Sequence, residues 1–103
     1  MKEEAVEVFR SCIPLFHALS DPARQDIILM LAQHEHLSVN EIANHATLSR
    51  PAISHHLKVL RDLGIVAIHK RGTSHYYYLT LDDATSLLKQ LVYTVEKACE
   101  KDN

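Results

Sequence analysis

Ser49-Arg50-Pro51-Ala52-Ile53-Ser54-His55-His56-Leu57-Lys58-Val59-Leu60-Arg61-Asp62-Leu63-Gly64 is the stretch that decides the fold. Ser49 is a helix-capping residue, and Pro51 sits in the first turn, where a missing N–H costs nothing. On a helical wheel Ile53, Leu57 and Leu60 share one face. Pro51, Ser54, His55, Lys58 and Asp62 point the other way, with Arg50 and Arg61 on the flank. Gly64 supplies the left-handed stop that ends a helix. Just upstream, Ser38-Val39-Asn40-Glu41 has capping-box spacing and opens a short helix ending near Ala46. A short helix, a tight turn and a longer helix make a helix-turn-helix unit, here spanning about 39–63. Ala43 is small where the two helices must cross, and Ile42 and Leu48 extend the apolar face.

Outward from this unit, Ile65 to Arg71 is rich in β-branched residues, Gly72-Thr73-Ser74 reads as a turn, and His75 to Leu79 as a second strand. This predicts a hairpin over about 65–80 with a basic tip. Upstream, residues 2 to about 19 read as a helix with Ala5, Val8, Phe9, Cys12, Ile13 and Phe16 on one face. Pro14 predicts a kink or short break within it. Ser20-Asp21-Pro22 starts a second helix, running to about Gln33 with Ile27, Ile28 and Leu31 inward. Asp82 or Asp83 starts a last helix to about Lys101. Its apolar positions are Ala84, Leu87, Leu88, Leu91, Val92, Val95, Ala98 and Cys99. The predicted fold class is mostly α with a small β-hairpin, in the order α-α-α-α-β-β-α.

With 103 residues, the chain is expected to form one domain, 1–103. Two Gly, three Pro and no Trp fit a helical fold with few tight loops. The longest apolar run, Ile27 to Ala32, is far short of the roughly 20 residues a membrane span needs. Glu3, Glu4 and Glu7 occupy what would be the basic and apolar regions of an export signal. A cytoplasmic location with free thiols is therefore expected, since Cys12 and Cys99 form no CxxC pair. No Ser/His/Asp arrangement, phosphate-cradling Gly loop or HExxH motif is present, which argues against an enzyme.

The net charge of −2 looks unfavourable for a phosphate-rich partner. Its distribution reverses that reading. Between Ser49 and His75 lie five cations (Arg50, Lys58, Arg61, Lys70, Arg71) and one anion (Asp62), a local +4, while the rest of the chain carries −6. A basic surface on an acidic body focuses a field toward DNA. The outward N-terminal half of the longer helix is where helix-turn-helix proteins read base edges in the major groove. Arg can donate two hydrogen bonds to guanine, and Ser serves either base type. Ser49, Arg50, Pro51, Ser54, His55 and Lys58 are the candidate reading residues. Lys70, Arg71 and Thr73 at the hairpin tip are candidates for an adjacent phosphate backbone.

Three segments together resemble the arsenic-repressor-like (ArsR/SmtB) winged-helix transcriptional regulators. They are Leu19 to Arg24, Leu48 to Val66, and Gly72 to Leu79, and the likeness covers roughly residues 16–81. The resemblance implies a small homodimeric bacterial repressor that binds a roughly palindromic double-stranded operator and is released by an inducer. Arg50, Ser54, His55, Lys58 and Arg71 match the family's reading helix and wing, although the position of Arg50 is more often Gln there. The family's third-helix metal thiolates fall here on Ser38 and Asn40, poor ligands for a soft metal. The last helix contains no His, so the family's His and carboxylate zinc site has no counterpart. No metal and no cofactor are therefore expected.

Two long amphipathic end-helices around so small a core predict pairing of two subunits through the first and last helices. That pairing would set the reading helices about one DNA turn, roughly 34 Å, apart. Cys12 and Cys99, one per end-helix on apolar faces, are read either as packed hydrophobes or as a candidate redox switch. His34 and His36 flank Glu35 on a loop, and His69 and His75 are expected to face each other across the hairpin. Two alternatives stay open: a repressor answering to a metal or arsenical through a different site, and a winged-helix interaction module without DNA binding.

Overall fold

The computed structural model describes residues 3–102. Five helices and one hairpin follow in chain order: α1 Glu3–Leu19, α2 Pro22–Gln33, α3 Val39–His45, α4 Arg50–Asp62, β1 Val66–Arg71, β2 Ser74–Leu79 and α5 Asp82–Asp102. The expected order and fold class are those observed.

The helix starts follow the capping chemistry. Asp21 accepts from the backbone N–H groups of Ala23 and Arg24 at the head of α2. Ser38 and Glu41 form a reciprocal capping box on α3, and the Ser49 hydroxyl accepts from the Ala52 N–H on α4. The end of α4 is a Schellman motif. Ile65 N–H donates to the Leu60 carbonyl and Gly64 N–H to the Arg61 carbonyl, each at 2.9 Å. Gly64 takes φ +74° to allow this. Leu60 and Ile65, the residues that touch across such a motif, are both buried.

One core holds these elements together. Ile27 and Leu31 of α2, Ile42 of α3, and Ile53, Leu57 and Leu60 of α4 meet Leu15, Leu37, Ile65 and Val66 there. β1 and β2 pair antiparallel with Arg71 opposite Ser74, so only Gly72 and Thr73 form the turn. Gly72 has φ +61°, and among the described residues no non-glycine shares that sign, the pattern of a turn with glycine at its first central position. Leu37 adds an isolated bridge to Tyr77, exchanging hydrogen bonds of 2.9 and 2.7 Å. Thr80 closes the other end, donating through its N–H to the Ile65 carbonyl and through its hydroxyl to the Gly64 carbonyl. The hairpin is thus clamped to the head of α3 and the end of α4.

Four local expectations are corrected. Helix α1 runs on through Pro14, so of the kink or short break expected there the break does not occur. Pro14 and Arg10 are both exposed, so water can satisfy the one carbonyl that the proline leaves without its helical donor. Phe9, Ile13 and Phe16 are not on the packed face of α1, which consists of Ala5, Val8, Cys12, Leu15 and Ala18. The register pairs His69 with Tyr76 and Lys70 with His75, so His69 and His75 lie on opposite faces of the hairpin. Cys12 is buried as expected, but Cys99 is exposed.

Candidate nucleic-acid interface

Helix α4 separates two chemistries. Ile53, Leu57 and Leu60 are completely buried. Arg50, Pro51, Ser54, His55, Lys58 and Asp62 are all exposed on the opposite side. The helix is therefore seated by its apolar face, and its polar face is presented as a rigid surface. Ser49, also exposed, spends its hydroxyl oxygen on the cap. Lys70, Arg71 and Thr73 project at the exposed hairpin tip.

Two of the cations already have protein partners. Lys58 Nζ lies 3.1 Å from Asp62 Oδ2, an exposed i,i+4 pair that adds little stability. Arg50 Nε donates to Asn40 Oδ1 at 2.7 Å, joining the first turn of α4 to the first turn of α3. Asn40 was not legible as a partner of Arg50. Ten residues separate them, and only the helix-turn-helix crossing brings them together.

A second cluster fixes α4 from beneath. Arg24 is buried, with Nε donating to the Ala18 carbonyl at 2.8 Å and Nη1 3.2 Å from Nδ1 of half-buried His56. Because a guanidinium has no acceptor, His56 must offer the lone pair of Nδ1 in this arrangement. Asp21 lies alongside at 3.8 Å. The N–H of Arg24, above all, and that of Ala23 hold the Asp21 carboxyl below its ordinary range. Likewise the Ser38 backbone N–H holds the Glu41 carboxyl low at the head of α3.

The remaining candidate residues are dispersed. His34 stacks on His45 at 5.8 Å and His36 tilts against Tyr76 at 5.1 Å. Among the described residues, no three His, Cys, Asp or Glu side chains converge as a metal site would require. Ser38 and Asn40 are engaged in the capping box and with Arg50. Cys12 and Cys99 are not brought together within the chain. Ser11, Pro14 and Leu15 share a cavity with Ala84 and Leu87, so the end of α1 lies beside the start of α5. Cys99 is about 18 Å further along α5 than Leu87, whereas Cys12 is within one turn of Leu15. Cys99 instead shares an outward stripe with Val92, seven residues before it. Among the described residues no helix is long and apolar enough to cross a membrane.

Residues 21–67, which contain α2, the helix-turn-helix and the start of β1, match the model of the bacterial regulatory protein, arsR family. An HTH-type transcriptional regulator of Methanocaldococcus jannaschii is 33% identical over 84 residues, spanning 82% of this chain and 94% of the relative. The transcriptional repressor SdpR of Bacillus subtilis is 37% identical over 65 residues, 63% of this chain and 71% of that protein. The solved structure of an ArsR-like transcriptional regulator from a Rhodococcus species superposes with a TM-score of 0.80 at 25% identity. That match covers 93% of this chain and 87% of the other.

Proposed function

Since this chain belongs to the arsR family and is a DNA-binding transcriptional repressor, we propose that it acts as an inducible homodimer on a roughly palindromic operator. The observation that carries the reading is the division of α4. Its three inward residues are fully buried, and its outward residues fall within the segment carrying +4. Arg50, Ser54 and His55 would face base edges, with Ser49 and Pro51 at the helix entry. Lys58, Lys70, Arg71 and Thr73 would meet phosphates. The Asp62 partner of Lys58 is exposed, so phosphate can take its place at small cost.

The dimer would form through α1 and α5. Phe9, Ile13 and Phe16 recur at i, i+4 and i+7 on the outer side of α1, and Val92 and Tyr93 stand 55% and 62% exposed on α5. Apolar surface of that extent on a chain of this size fits a partner subunit better than water.

For the inducer, the reading is a thiol switch. Both Cys12 and Cys99 are free, one beneath α1 and one on the outer stripe of α5. Oxidation or persulfidation would reach Cys99 first and would alter the surface that sets half-site spacing. Equal operator affinity of wild type, Cys12→Ser and Cys99→Ser, with and without peroxide or persulfide, would remove this part.

The main test is binding to a duplex from the region upstream of its own gene at several salt concentrations. Affinity should fall steeply with salt, each neutralised phosphate adding about −0.9 to the log–log slope. Lys58→Ala and Arg71→Ala should each reduce that slope by about 1. Binding indifferent to salt would favour an interaction module without DNA.

A further inference from the structure

We propose that Asn40, at the head of α3, is a positioning residue that sets how Arg50 reads DNA. The inference rests on the DNA-binding reading above and adds a residue outside the recognition helix to it. Three observations carry it. Arg50 is the first residue of α4, exposed and unpaired with any carboxylate among the described residues. Its Nε donates to Asn40 Oδ1 at 2.7 Å, a short bond between two side chains rooted on different helices. Both roots are rigid, because Ser38 and Glu41 cap α3 while Ser49 caps α4.

The orientation of the amide follows from chemistry. Arg has no acceptor, so the atom facing Nε is the carbonyl oxygen of Asn40, and its NH2 points elsewhere. The consequence for Arg50 is selective. A guanidinium carries five N–H donors in one plane. With Nε–H committed to Asn40, the side of the fork that includes Nε is occupied. The edge formed by the two terminal nitrogens stays available, and that edge can meet guanine O6 and N7 together. Asn40 thus chooses which edge Arg50 offers and holds a long, otherwise mobile side chain in place before DNA arrives. Less freedom is then lost on binding. A bare Arg at this position would reach phosphates and bases alike and discriminate weakly. Asn40 itself needs no contact with DNA for this role.

The experiment starts by selecting a duplex from a random library with the wild-type protein, then replacing each base pair of that duplex in turn. Arg50→Ala should abolish preference at one base pair per half-site. Asn40→Ala should lower the preference at that same pair about 3- to 10-fold and leave the salt slope unchanged. In the Arg50→Ala background, Asn40→Ala should have no further effect. Asn40→Asp retains the acceptor and should restore the preference, even if the added negative charge weakens binding to every duplex. Thermal unfolding should be the same for all variants, since both side chains are exposed. Weakening spread evenly over all base pairs, or an Asn40→Ala effect that persists without Arg50, would overturn the proposal and point to direct contact of Asn40 with DNA. If the wild type selects no duplex at all, it is the DNA-binding reading that fails.

Discussion

Asp21 shows how much a single side chain can organise in this protein. It caps α2 through the N–H groups of Ala23 and Arg24, and it lies beside the Arg24 guanidinium that joins the Ala18 carbonyl to His56 on α4. These partners favour its charged form and hold its carboxyl below the ordinary 3.8. The sign of the pH effect follows. A carboxyl depressed in the folded state contributes stability that is fully present above its unfolded value and disappears as pH falls through the folded one. Asp21→Asn keeps an acceptor for the cap but cannot titrate. The stability gap between wild type and Asp21→Asn, measured by urea unfolding at pH 7, 5 and 3, should therefore be constant above about pH 5 and shrink below 3.8. A gap that does not change with pH would mean the charge of Asp21 adds nothing to stability. The cap was readable from Ser20-Asp21-Pro22, because capping is a local affair of three or four residues. The link from Arg24 to His56 was not, because it spans 32 positions and depends on how α2 and α4 cross.

At the scale of elements, α4 and the wing act as one unit. The Schellman turn at Gly64 ends the helix and aims the chain into β1, and Thr80 ties the far end of the hairpin back to Gly64 and Ile65. The orientation of the basic tip relative to α4 is thus set by a few hydrogen bonds around one glycine. A Cβ at position 64 would meet only Asp83 Oδ2 at 3.8 Å, an ordinary contact. The penalty of Gly64→Ala is therefore the left-handed backbone itself, about 1 kcal/mol. Chemical denaturation should show that loss, with Gly64→Asn losing less because Asn tolerates this conformation better. A loss of several kcal/mol would mean that the motif rearranges. The signals for this unit were plain in the sequence: the Ser49 cap, the Gly64 stop, the β-branched run and the Gly72 turn. The third partner of the sheet, Leu37, was not foreseen. An isolated bridge is a single residue pair and leaves no alternation to read.

The whole molecule is extended for its length. Its radius of gyration is 16.6 Å and its long axis 55 Å, against about 13 Å for the radius of a compact domain of this size. The proposed pairing through α1 and α5 explains that shape, because a dimer would cover the flanks that one chain leaves bare. Phe16→Asp and Val92→Asp place a charge on those flanks without touching the core. Each variant should keep its helical circular dichroism, sediment as a single 11.7 kDa subunit and lose about 100-fold or more in operator affinity as two-site binding is lost. A wild type that sediments as one subunit at micromolar concentration would remove the dimer.

The sequence by itself determined the order of elements, the helix caps, the buried face of α4 and the concentration of positive charge between Ser49 and His75. Each of these depends on spacing within one or two turns, or on a count along the chain, which tertiary context does not alter. Tertiary structure decided which of two apolar faces α1 would bury. Both Val8 and Phe9 fit a helical stripe, and only packing against α5 and α2 turned the small residues Ala5, Cys12 and Ala18 inward and left the phenylalanines outside. It also decided that Asn40 should meet Arg50 and that Cys12 and Cys99 should stand apart, since distances between helices are set by their crossing and not by any local preference of the chain.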